Sequence, residues 1–222
     1  MRNGNITNNE IIKKEEIRKE ILEKLKLYHQ TSKEKWEKIQ EVGSILSEKE
    51  LLKRGLINKD ELLVVDNEIT NTGEIQRGLG RDDFVFASTS PVGFGDVTLE
   101  IDLSALQIPD AKVSIAGDWV YHDFDDIDYL KKSEIPAKEF ISYLIDFLPT
   151  LPNKEWFLDT KNNEKDIKLF LGEAMMDKAY KNDKTKFRTF WKLHPEILFP
   201  KELPLKYIKQ IIINNTDNVD NN

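Results

Sequence analysis

The stretch FVFASTSPVGFGDVTLEIDL, residues 84–103, decides the fold class. Its ends, Phe84–Ser88 and Val97–Leu103, are rich in β-branched and aromatic residues and alternate or run apolar as strands do. The piece between them, TSPVGFGD, has the proline, glycines and aspartate of a turn. A strand–turn–strand unit therefore occupies the middle of the chain. Downstream of it, Lys112–Ile115 and Trp119–Tyr121 read as further short strands. Upstream, 66–83 reads as a loop carrying Gly73, Gly78 and Gly80, preceded by a strand at Glu61–Val65.

Helices flank this centre. Ile11, Ile12, Ile17, Ile21, Leu22 and Leu25 recur at helical spacing between Lys and Glu, which predicts an amphipathic helix over 10–26. A strand follows at Leu27–Gln30. Ser32 then caps a helix through Trp36 and Ile39 that stops at Gly43, and Ser47 caps a shorter one that stops at Gly55. Pro136, at a first helical position, opens PAKEFISYLIDFL. Another helix starts at Asn163 or Glu164 and runs to about Tyr180. Phe187–Leu193, Glu196–Phe199 and Tyr207–Ile213 are β-rich, with Pro195, Pro200 and Pro204 between them. The phrases EIPAKEFI and ELPLKYI are alike but too short for a structural repeat. Strands in the middle and at the end, with helices before and between, give an α+β fold and no regular βαβ alternation. The organisation is one domain over 10–213, with polar, Asn-rich tails at 1–9 and 214–222.

The composition removes several functional classes. Of 222 residues, 39% are hydrophobic, enough for a core, and no run approaches the ~20 apolar residues of a membrane span. The net charge of −7 argues against non-specific nucleic-acid binding, which needs a surplus of Lys and Arg. With no cysteine, thiolate nucleophiles, disulfides and Cys-bound zinc are absent. The three histidines, His29, His122 and His194, form no i,i+4 pair, and no metal site is assigned. The acidic run DFDDIDY, Asp123–Tyr129, fits no EF-hand; a hydrolase using Asp123, Asp125, Asp126 and Asp128 is the weakest reading. No secretory signal is legible at the N-terminus, so the expected compartment is the cytoplasm, or a host cytoplasm after injection. GxGxxG, GxxxxGK[ST] and GxSxG motifs are missing.

Three separated pieces remain. LYHQTS (Leu27–Ser32) is a strand ending in His and Thr, before a helix closed by Gly43. RGLGRDDFVFASTSP (Arg77–Pro91) leads basic residues into an aromatic strand that ends in hydroxyls. HPEILFPKELPLKYI (His194–Ile208) carries Glu196 at a strand start, followed by a proline turn. In this order the pieces resemble the ADP-ribosyltransferase superfamily, most of all the DarT-type toxins, over about residues 25–210.

The resemblance implies split antiparallel sheets with an N-terminal helix and inserted helices, and a mono-ADP-ribosyltransferase that uses NAD. Cleaving the nicotinamide–ribose bond builds positive charge on the ribose, which a fixed carboxylate stabilises. By the resemblance that carboxylate is Glu196, and it also orients the ribose 2′-hydroxyl. His29 would hydrogen-bond the adenosine ribose, with Gln30 and Thr31 beside it. Phe84 or Phe86 would pack on the nicotinamide, with Ser88 at the strand end. Arg77 or Arg81 would pair with the pyrophosphate or the acceptor through a bidentate fork, Arg77 ranking first. The acceptor is a macromolecule (DNA, RNA or protein), the partners include an antitoxin or regulator, and no membrane is involved.

Departures from the family pattern stand beside this. Phe replaces the Tyr that family members often carry. His194, not a second acid, lies two residues before Glu196, which weakens arginine as acceptor. Asp128 is an alternative acid and His122 a spare histidine. A non-enzymatic, partner-binding protein on a degenerate transferase fold is the competing function.

Overall fold

The computed structural model describes residues 8–58, 80–91, 95–115, 132–171 and 192–213. In chain order these form helix α1 (Asn8–Lys24), strand β1 (Leu27–Thr31), helix α2 (Lys33–Val42), strand β2 (Ser44–Leu46), helix α3 (Glu48–Lys53) and strands β3 (Phe84–Ser88), β4 (Val97–Ile101), β5 (Lys112–Ser114) and β6 (Glu134–Pro136). Helices α4 (Phe140–Phe147), α5 (Glu155–Leu158) and α6 (Thr160–Leu171) follow. Strands β7 (Glu196–Pro200), β8 (Glu202–Pro204) and β9 (Ile208–Ile213) end the described chain. Seven strands make one sheet in the order β6-β5-β7-β3-β1-β4-β9, and β2 pairs with β8 in a second. Every pairing is antiparallel, so the class is α+β.

The local elements follow from local chemistry. Ser32 Oγ accepts from the Lys35 amide, and Gly43 ends α2 at φ 78°, a left-handed position that a side chain resists. Ser47 caps α3 in the same way, and Gly55 follows it at φ 67°. Ile21 in α1 and Leu25 just past its end are buried and Ile17 packs against the core, whereas Ile11, Ile12 and Leu22 are exposed. The apolar stripe is thus narrower than its composition suggests, because an i,i+4 row is all that faces the core.

Several sequence expectations are corrected. Pro136 does not open a helix; it ends β6, its missing N–H placed at the last residue of an edge strand. A 3-10 turn, Ala137–Glu139, intervenes before α4. The later phrase of similar sequence repeats this shape: Glu202–Pro204 is strand β8, and Leu205–Tyr207 is a 3-10 turn. EIPAKEFI and ELPLKYI therefore share local structure. Lys192 and Leu193 lie in a helix end and a turn, not a strand, and β2, β8 and α5 escaped the sequence reading. The expected N-terminal tail is shorter than 1–9, since Asn8 and Asn9 open α1; the expected strands at Glu61–Val65 and Trp119–Tyr121, residues 1–7 and 214–222, and the chain beyond α6 to residue 191 lie outside the described residues.

One feature of the sheet positions the site. β1 is paired with β4 along its whole length, and β3 with β7 likewise. Between β1 and β3 only Tyr28 and Ser88 are in register. The resemblance implies split sheets; among the described residues the seven-stranded sheet is continuous but narrows to a single registered pair between β1 and β3. Val85, Ala87, Ile197, Phe199, Leu99 and Leu27 on one face join Ile21, Phe140, Leu144 and Phe157 from the helices in one core cluster.

Candidate active site

Residues directly opposed in an antiparallel ladder share a face, and neighbours along a strand alternate. Register therefore aligns Tyr28, Ser88, Glu196, Ser114 and Glu134 in one row across β1, β3, β7, β5 and β6. The row lies on the face opposite the core cluster. Glu196 sits at its centre, with a serine on either side.

Arg81 completes this row from below. Gly80, at φ 71°, turns the chain into the 3-10 segment Arg81–Asp83, which feeds β3. The Arg81 side chain is 1% exposed, and its Nη1 donates to Glu196 Oε2 at 3.0 Å. Nη2 donates to Ser114 Oγ at 3.0 Å and stands 3.8 Å from Glu134 Oε1. Its Nε, also buried, has no partner among the described residues. Glu134 Oε2 in turn accepts from Lys112, whose ammonium lies 5.7 Å over the Phe84 ring. A buried guanidinium persists only when its charge is matched, and here two carboxylates match it.

Burial pushes the Glu196 carboxyl above the usual glutamate range, and the charge and hydrogen bond of Arg81 pull it back. Glu196 keeps 17% of its side chain exposed, so it is desolvated but reachable.

His29 stands apart from this row. It neighbours Tyr28 and opposes Leu99, so alternation points it to the other face of β1. Its Nδ1–H donates to the Phe86 carbonyl at 2.7 Å, inside the seam where β1 and β3 part. Because a carbonyl only accepts, Nδ1 carries the proton. Burial lowers the His29 pKa, against the Phe86 bond and with a smaller lowering from Lys35. The ring is therefore neutral at pH 7, and Nε2 is an acceptor. Gln30 Nε2 donates to the Pro91 carbonyl, tying β1 to the end of the aromatic strand. Thr31 is buried, on the His29 face, beside Gly95.

The structure thus brings Glu196, Ser88, Phe84, Phe86 and Gln30 to one face, and places His29 and Thr31 on the other. Backbone distance between the two groups is small: β1 and β7 flank β3, two interstrand spacings apart, about 10 Å. Ser88 Oγ donates to the Ser90 carbonyl at 2.7 Å. Arg77, Asp128 and His122 lie outside the described residues. Arg81, ranked second by sequence, is the arginine that meets Glu196. Buried and committed to protein partners, it is not available to a pyrophosphate.

Sequence reasoning missed Ser114 and Glu134. The signal was faint: Glu134 heads EIP as Glu202 heads ELP, and only strand pairing shows which of the two faces Arg81. Among the described residues no cluster of three His, Asp or Glu could hold a metal, and the DFDDIDY run lies outside them. No helix among them is long and apolar enough to cross a membrane. The chain matches no family model, no curated protein and no solved structure.

Proposed function

We propose that this chain is an NAD-dependent mono-ADP-ribosyltransferase that cleaves the nicotinamide–ribose bond and passes ADP-ribose to a macromolecular acceptor, nucleic acid or protein. One observation carries the reading: the Glu196 carboxyl, at the start of a central strand, is held by a fully buried arginine beside the seam of the sheet. A carboxylate that is fixed, partly desolvated and still reachable suits stabilisation of a ribosyl oxocarbenium ion, because low polarity strengthens its field at the sugar. Ser88 offers a hydroxyl next to it, and Phe86 an aromatic surface on the same face. Across the seam, the neutral His29 has Nε2 as acceptor for a ribose hydroxyl. NAD supplies the electrophilic ribose; the chain supplies the anion, the aromatic surface and the acceptors.

The test is incubation of purified protein with labelled NAD, DNA, RNA and cell lysate. Wild type releases nicotinamide and labels an acceptor, and Glu196→Ala lowers the rate by about 10²–10³. Full activity in Glu196→Ala, or no cleavage by wild type, overturns the reading.

The competing function, a partner-binding protein on a degenerate transferase fold, has its own observation. Glu196 and His29 each satisfy a protein partner, and they project from opposite faces of the sheet. Tight partner capture without NAD binding in calorimetry selects it; NAD binding with turnover rejects it.

A further inference from the structure

Resting on the transferase reading, we infer that Glu134 is a second catalytic carboxylate, the base that takes the proton of the attacking acceptor. Sequence spacing offers no second acid near Glu196, since His194 holds the position two residues before it. The fold supplies one from another strand. Glu134 and Glu196 both oppose Ser114, one from β6 and one from β7, so their side chains leave the same face. Arg81 stands between them, 3.0 Å from one carboxylate and 3.8 Å from the other.

The chemistry divides the work. The acceptor oxygen or nitrogen forms a bond to ribose C1′ while the C1′–nicotinamide bond breaks. Nicotinamide leaves as a neutral base, carrying the electron pair of the broken bond. The acceptor's proton must go elsewhere. If Glu196 took it, the charge that stabilises the oxocarbenium ion would vanish as the ion forms. Glu134 removes the conflict. Its looser contact with Arg81, its Oε2 bond from Lys112 and its 21% exposure place it at the solvent side of the pair. The two carboxylates rise from strands two interstrand spacings apart, about 10 Å at the backbone, with β5 between them.

Azide separates the roles, because it attacks without a proton to lose. With NAD as substrate and water as acceptor, Glu134→Gln releases nicotinamide at least 10²-fold more slowly than wild type, the scale of a lost general base. Sodium azide restores most of that rate and yields the ribosyl azide. Glu134→Asp, which keeps a carboxylate, falls between. Glu196→Gln is as slow, and azide does not restore it. A merely structural role for Glu134 gives a loss that azide cannot relieve, and this overturns the inference. So does a wild-type rate in Glu134→Gln. If Glu134→Gln does not fold, as read by circular dichroism, Glu134→Asp with and without azide decides in the same way. Absence of nicotinamide release from wild type, with or without azide, is the failure of the transferase reading instead.

Discussion

Arg81 shows how one residue sets the character of a site. A guanidinium does not lose its proton in a protein, so a buried one must be answered by anions. Glu196 and Glu134 answer it, and Ser114 fixes the orientation of the fork. Removing Arg81 leaves the Glu196 carboxylate buried with burial unopposed, which raises its pKa further. Arg81→Met therefore destabilises the fold by about 3 kcal/mol near neutral pH, and by less in acid, where the carboxyls are neutral. The sign is checkable: a carboxyl with a raised folded-state pKa stabilises in its protonated form and loses that contribution as pH rises through the pKa. Denaturant titration of wild type and Arg81→Met between acid and neutral pH measures the gap. If Glu196 works as an anion, the acid limb of the pH–rate profile lies above the usual glutamate range, and Arg81→Met moves it higher still. An unmoved limb removes Arg81 from the site.

Among elements, the turns and caps were plain in the sequence and the strand faces were not. Ser32, Gly43 and Ser47 act through atoms within a few residues of themselves, so their chemistry is visible in a short window. Pro136 misled because a proline suits the first turn of a helix and the end of an edge strand equally well, and only β5 decides between them. The strand LYHQT was legible as a strand, yet which of Tyr28 and His29 shares a face with Glu196 depends on register with β3 and β7. Gly95 carries a similar long-range requirement. A Cβ there would stand 2.5 Å from the Thr31 carbonyl oxygen, and its φ is 146°; at Gly43 a Cβ would meet nothing. Gly43→Ala consequently costs about 1 kcal/mol, the strain of a left-handed alanine. Gly95→Ala costs more, because strand β4 must also move away from β1. Urea titrations of the two variants rank them, and equal losses would mean that the β1–β4 approach can relax freely.

At the scale of the molecule, β9 is an end strand of the seven-stranded sheet. Its Ile211 and Ile213 are 46% and 65% exposed, although they oppose buried Leu99 and Val97. An apolar edge strand is a template for pairing with other chains. Ile213→Lys therefore lowers self-association in light scattering at high protein concentration and changes unfolding stability by no more than about 0.5 kcal/mol. Unaltered scattering would place the contact elsewhere. The candidate site itself was half legible: Glu196 and the aromatic strand stand out as residue types, whereas Ser114 and Glu134 acquire meaning only when β5 and β6 fall beside β7.

The seam bears on how the chain is made. β1 and β4 emerge early in synthesis and can zip together at once, but β3 must wait for β7, and the Arg81–Glu196 pair closes over a separation of 115 residues. Until then FVFAS has its long pairing partner missing, which makes the half-built chain stickiest in the interval between the two blocks. A ribosome that pauses before residue 196 would hold this protein at its most aggregation-prone moment.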